Sequence, residues 1–299
     1  MARGGPICLG TLLLTVITLC ASAATAKRVL ILDPFEREVA PFSAVASTFR
    51  ITLTRDLGEP MDIYEVPLDL ARFGESEGEA PLVEFLEGRL KSRPMDLVVL
   101  IGSAGVQFAG RHRERLFPET PILVLAAQAR AVPPDFPGTN DTLVTQKVNI
   151  PGMVEDILQL QPQTTNIVVV FGASAVEKFW VNECKREFQP FTNQVGFTWL
   201  NDLSLEQILQ RCAALPPRSF ILHVLFTVDA AGVPCEKNEA LRRLHQVANA
   251  PIFSYYSSEL GLGTIGGRLF QDTELGAKAA RTAVRILRVK TRGLSPHRC

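Results

Sequence analysis

Residues 96–105 read Asp96-Leu97-Val98-Val99-Leu100-Ile101-Gly102-Ser103-Ala104-Gly105. An unbroken apolar run, rich in β-branched side chains, ends abruptly on a turn of small residues. Such a run fits a strand covered on both faces, as in a parallel sheet flanked by helices. The same signature recurs at residues 29–32, 122–125, 167–171 and 220–226. Between these runs the apolar period changes. Phe42, Val45, Phe49, Leu53 and Leu57 fall on one helical stripe, as do Leu82, Phe85, Leu86 and Leu90. Leu205, Ile208, Leu209 and Cys212 form another, with Ser204 and Gln207 placed as a capping box. Leu241, Leu244 and Ala248, then Ala279, Ala283 and Leu287, complete the set. Strand alternating with helix is the mark of an α/β fold with right-handed crossovers. The alternation runs from about 28 to 130 and restarts near 166, after a Pro- and Gly-rich stretch (132–138) and a helix-like segment (152–160). Two Rossmann-like lobes with parallel sheets, joined near 148–152, are expected.

Composition agrees. The chain has 299 residues, 46% of them hydrophobic, too apolar for a disordered protein, and its length favours two domains. Thirty-one basic residues balance thirty-one acidic ones, which argues against a dedicated nucleic-acid binder.

The first 26 residues read as an export signal. Arg3 gives the charged start, Ile7 to Leu19 the apolar stretch, and Ala24-Thr25-Ala26 the cleavage site before Lys27. The apolar stretch is shorter than the roughly 18 residues a membrane span needs. A lipid anchor on Cys20 fits less well, because Leu19 stands where a small residue is expected. A periplasmic location follows, with no stable membrane insertion after cleavage. Cys184, Cys212, Cys235 and Cys299 remain, none at C-x-x-C spacing, so no zinc ribbon or thioredoxin-type site is indicated.

In open parallel sheets, ligands gather beyond the carboxyl ends of the strands. The residues after each apolar run are therefore the candidates. Phe35 and Arg37 follow the first run, Ser103 the second and Gln128 the third. In the second half come Ser174, Asp229, and then Tyr255 and Glu259. Phe35 and Tyr255 suit cleft walls that stack on a flat ligand. Arg37 suits a carboxylate, and Asp229 and Glu259 suit a hydroxyl or an ammonium. Ser103 fits either a ligand contact or a helix N-cap.

Other motifs carry less. Gly261-Leu262-Gly263-Thr264-Ile265-Gly266 matches a dinucleotide fingerprint by letters, but it lies near the chain's end with no acidic residue in the required place. No cofactor is expected. His112, between two arginines, reads as a solvated helix face, and His223, inside an apolar run, as a packed core histidine. No nucleophile, base and orienting acid assemble from recognisable motifs, which disfavours an exported α/β hydrolase.

The order of several loose motifs resembles a known family. They are Arg28 to Asp33 with Pro41-Phe42-Ser43, Ile63 to Val66 leading to Leu70-Ala71-Arg72-Phe73, Asp96 to Gly102, Pro121 to Val124, Gly261 to Gly267, and the closing Gly276 to Ala280. Together they resemble the type I periplasmic solute-binding proteins, in particular the substrate-binding-protein-like modules of ABC transporters. Such modules also serve as sensor domains ahead of histidine kinases. The resemblance implies lobe 1 at 27–149 with 251–290 returning to it, lobe 2 at 150–250 and a short tail at 291–299. It also implies a small-molecule ligand, no chemistry, and a transporter permease or histidine kinase as partner. The alternative it leaves open is the truncated sensor domain of a hybrid histidine kinase.

Overall fold

The computed structural model describes residues 26–35, 39–69, 79–126, 128–129, 132–133, 136, 138–235, 238–266 and 268–293. Apart from Ala26, the segment read as an export signal lies outside them, as do Arg37 and Cys299.

The first sheet contains β1 (Lys27–Asp33), β2 (Met61–Pro67), β3 (Leu97–Ile101), β4 (Ile122–Ala126) and β5 (Thr142–Thr145), ordered β2-β1-β3-β4-β5 and parallel throughout. Helices α1 (Phe42–Leu57), α2 (Glu79–Ser92) and α3 (Gly102–Leu116) link its strands. The second sheet contains β6 (Asn166–Phe171), β7 (Gly196–Leu200), β8 (Ser219–Leu225) and β9 (Ile252–Ser254), ordered β7-β6-β8-β9 and also parallel. Its helices are α4 (Ile150–Leu160), α5 (Ala175–Phe188), α6 (Leu205–Cys212) and α7 (Glu239–Val247). A long α8 (Asp272–Gly293) closes the described chain by packing along α1.

Burial follows from strand position. The central strands β3, β4 and β8 are buried at every residue, whereas every residue of edge strand β2 is half-exposed. One apolar core runs through both lobes. It packs α1 and α8 on the first sheet and α4 and α5 on the second, with Tyr255, Tyr256 and Phe270 in the same cluster. Two smaller cores fill the outer faces, under α2 and α3 and under α6 and α7. Helices α1 and α8 approach closely enough to require Gly276, because a Cβ there would stand 2.5 Å from the Val45 carbonyl oxygen.

The expected capping box at Ser204 and Gln207 opens α6. Three expectations change. The strand at 252–254 pairs with β8, and Ile265 bridges Phe253, so the chain stays with the second sheet past residue 250 before α8 packs back on the first lobe. Phe85, assigned to the buried stripe of α2, is 52% exposed. His112 is not a solvated face: Nε2 lies 2.8 Å from Glu79, and its ring is 4.9 Å from that of Phe108. Burial pushes the Glu79 carboxyl up, but hydrogen bonds from Arg111 and His112 outweigh it and hold it below the usual range.

Candidate ligand cleft between the lobes

The chain crosses between lobes twice among the described residues. The first crossing leaves the carboxyl end of β5 and enters the first turn of α4; the second leaves β9 and reaches the first turn of α8. Helix α4 runs back towards the amino end of β6, and α8 runs in the same direction as α1, with Gly276 against Val45 and Arg288 donating to the Asp56 carbonyl, so the first turn of each lies at the carboxyl edge of its sheet. Both crossings therefore join carboxyl edge to carboxyl edge, and the two edges face one another across the hinge. Arg268 fastens the second crossing to α4, donating its backbone N–H to Asp156 (2.9 Å) and a guanidinium N–H to Glu155 (2.8 Å). Lys278 Nζ, in the first turns of α8, donates to the Thr145 carbonyl at the end of β5, 2.9 Å away.

The first-lobe edge is lightly committed. Gly102 turns the chain after β3 at φ +75°, and no side chain caps α3. Ser103 is half-buried within the first turn and is not the N-cap, the position Ile101 occupies. Gln128 is half-buried and lines a cavity of about 350 Å³ beside the first crossing, with Thr145, Gln146, Lys147, Pro151 and Glu187. The Oε1 atom of Gln146 is buried there without a hydrogen-bond partner. Phe35, expected as a cleft wall, is fully buried, its ring 5.0 Å from that of Phe42. It has no surface to offer a ligand.

The second-lobe edge is held by buried carboxylates. Ser174 caps α5 and forms a capping box with Glu177. Glu177 Oε2 accepts the Ser174 N–H (2.7 Å), and Oε1 accepts the Thr227 N–H from the turn after β8. One carboxylate thus ties the turns after β6 and β8 together. Gly172 lets it in, since a Cβ there would collide with both carboxylate oxygens. Burial raises the Glu177 carboxyl to about 7, against the lowering pull of its hydrogen bonds from Ser174 and Thr227. Asp229 is buried and accepts three backbone N–H groups, from Leu205 (3.0 Å), Ala231 (2.9 Å) and Val233 (2.9 Å). Its oxygens therefore serve its own loop and the start of α6, where the sequence suggested a ligand contact. Glu259 is also buried, accepting from Ser254 Oγ, with His223 Nδ1 at 3.3 Å. Tyr255 is 6% exposed and packs against Tyr256 and Phe270. Burial pushes its hydroxyl well above the usual phenol range.

Of the candidates read from sequence, Ser103, Gln128 and Ser174 keep partly exposed side chains at the two facing edges. Phe35, Asp229, Tyr255 and Glu259 lie buried behind them. Glu177, Thr227 and Gln146 were not anticipated. The spacing Ser174-x-x-Glu177 is a capping-box signal, and could have been found the way the Ser204 box was. Among the described residues no group of three or more His, Cys, Asp or Glu side chains could hold a metal ion.

No family model and no curated protein matches the chain. Solved structures do. An ABC domain from Streptococcus pneumonia, in complex with L-Trp, aligns over 88% of this chain and 85% of its own at 17% identity, with a TM-score of 0.62. The complex of the TorS sensor domain with TorT, in the presence of TMAO, aligns over 88% and 87% at 11% identity and a TM-score of 0.59. The fold is that of the type I periplasmic binding proteins. A putative LacI transcriptional regulator from Bacteroides fragilis has it too, covering 89% and 92% at 13% identity and a TM-score of 0.59. One type I periplasmic-binding fold therefore serves an ABC domain, a sensor-domain complex and a putative transcriptional regulator, and the use made of the cleft must be argued from the site.

Proposed function

We propose that this chain is an exported, periplasmic solute-binding protein. It captures a small molecule between its lobes and presents the closed form to a transporter permease or a sensor kinase, without altering the ligand chemically. The observation that carries this reading is the facing of the two carboxyl edges across a two-segment hinge. That arrangement makes a cleft whose width varies with lobe angle, so a solute touching both edges selects the closed form. Ser103 and Gln128 on one side and Ser174 on the other supply hydroxyl and amide groups suited to a neutral, polar or aromatic solute. In the second lobe the buried carboxylates hold the turns, which leaves the ligand to meet hydroxyls and backbone N–H groups.

The test is a thermal-shift screen of the purified chain against sugars, amino acids, nucleosides, aromatic acids and quinone-like compounds. A ligand at 100 times its dissociation constant stabilises the native state by about 2.7 kcal/mol. The expected result is a concentration-dependent rise in melting temperature for one chemical class, with the compound recovered intact. Multiple turnovers of any compound to product would overturn the reading in favour of an enzyme.

A further inference from the structure

A cavity of about 500 Å³ lies away from the cleft, on the flank of the first lobe where edge strand β2 meets α2. Its floor is apolar, built from Val66, Leu86, Leu90 and Met95; its rim carries Tyr64, Phe85, Arg89 and Arg93, and its one lining carboxylate, Glu65, is paired with Arg50.

The strand beside it has an open edge. The Pro60 carbonyl accepts from the Lys27 N–H (2.9 Å), and the Leu68 N–H donates to the Asp33 carbonyl (2.8 Å). In a parallel ladder alternate residues face the same neighbour, so the even-numbered residues of β2 turn their backbone to β1. Met61 and Ile63 turn theirs outward, where no other strand of the described residues pairs with β2. Such an edge is a template for an added strand. One side-chain row of that strand would continue the row of Tyr64 and Val66 and meet the flank of α2.

The flank is cationic. Phe85 and Arg89 are four residues apart on one stripe of α2, and Arg93 follows the last residue of the helix. The Arg89 guanidinium stands 5.4 Å from the centre of the exposed Phe85 ring, and Arg93 donates to the Tyr64 hydroxyl (3.0 Å). Neither forms an ion pair among the described residues. Other arginines of this lobe do: Arg50 with Glu65, Arg111 with Glu79, Arg113 with Asp141 and Arg115 with Glu87. Two spare guanidiniums thus border an apolar trough beside an open strand edge.

We infer that the β2–α2 flank docks an extended acidic segment of a partner protein, added as a strand to β2, with carboxylates on Arg89 and Arg93 and an apolar side chain in the trough. Guanidinium–carboxylate pairing supplies the sign preference, and main-chain pairing the extended shape. Pro60 and Pro67 bracket β2 and confine the pairing to the residues between them. The inference is independent of the solute reading, because it uses no cleft residue.

The test is fluorescence anisotropy of the full chain with a labelled seven-residue peptide of alternating Glu and Val, beside its Lys/Val counterpart. Saturable binding of the Glu/Val peptide alone is expected, weakened at least tenfold in the Arg89→Glu/Arg93→Glu double variant and in Ile63→Pro. The Arg115→Glu control should bind unchanged. Both arginines are exposed, so the double variant should keep its thermal melt even if Ile63→Pro does not fold. Absence of saturable binding, or equal binding by the double variant, overturns the inference. Binding that survives in a folded Ile63→Pro overturns strand addition and leaves only an ionic patch. Concentration-dependent dimerisation abolished by the same variants assigns the edge to a second copy of the chain and overturns it too.

Discussion

The two carboxyl edges that face each other across the hinge are built on opposite plans. In the second lobe, Glu177, Asp229 and Glu259 are buried and hydrogen-bonded to the turns and strand ends around them. In the first, a positive-φ glycine leads into a helix with no side-chain cap, and the polar groups are one buried carboxylate, Asp33 at the end of β1, with Ser103, Gln128 and the unsatisfied Gln146 oxygen. A carboxylate that accepts two or three backbone N–H groups fixes loop geometry but has little left for a ligand. The second edge is therefore a stiff, preformed surface, while the first keeps its polar atoms available. Substitutions should separate these roles: stability effects in one lobe, affinity effects in the other.

The largest effect is expected at Asp229. Replacing it by Ala removes the acceptor of three N–H groups: that of Leu205 is left buried and unpaired, at a cost of roughly 1–3 kcal/mol, while those of Ala231 and Val233 lie in an exposed turn and turn to water. Urea unfolding of Asp229→Ala should show a loss of about 3 kcal/mol, with Asp229→Asn intermediate because it keeps one acceptor oxygen. An unmoved midpoint alongside weakened solute binding would collapse the contrast between the lobes.

Glu177 sharpens it through pH. Its folded-state value is raised from 4.5 to about 7 by burial. Below about pH 4.5 the carboxyl is protonated folded or unfolded, and its favourable contribution is fully present. As pH climbs towards 7 the unfolded chain has lost the proton that the folded chain still holds, so stability falls. The loss is complete once the folded group ionises. At 1.36 kcal/mol per unit this amounts to about 3 kcal/mol. Relative to Glu177→Gln, which does not titrate, wild type should lose that much between pH 4.5 and 8. A pH-independent gap between the two proteins would mean that Glu177 is ionised throughout and that burial does not dominate it.

The same contrast between committed and uncommitted groups governs what was readable in the sequence. The five apolar runs correspond to β1, β3, β4, β6 and β8, the strands with neighbours on both sides. The four edge strands β2, β5, β7 and β9 carry no such run, because β2, β5 and β7 are partly exposed and β9, though buried, is only three residues long. Asp62 and Glu65 in β2 and Thr142 and Thr145 in β5 break the pattern. The turns after the strands were legible for the same reason, as apolar runs stop where a sheet ends. What each turn residue does was not legible. Asp229 and Glu259 look alike as acidic residues after a strand whether they face a solute or a backbone N–H. Only the positions of residues 24 and 36 apart in sequence, Leu205 and His223, tell these uses apart. Phe35 failed likewise, since an aromatic residue just past a strand end packs inward as readily as outward.

The smallest expected effects lie on the first edge. A neutral hydrogen bond contributes about 0.5–1.5 kcal/mol, a factor of roughly 2 to 12 in affinity. Gln128→Ala should weaken solute binding towards the upper end of that range, and Ser103→Ala towards the lower, both with melting temperatures close to wild type. Ser174→Ala is the matched control on the opposite edge. It removes the cap of α5 and one partner in the Glu177 box, so it should cost about 1 kcal/mol of stability whatever it does to binding. Titration calorimetry with the solute from the screen, beside thermal melts of all three variants, separates the cases. If Gln128→Ala melts early and Ser174→Ala does not, the first edge is the stiff surface and the second the adaptable one.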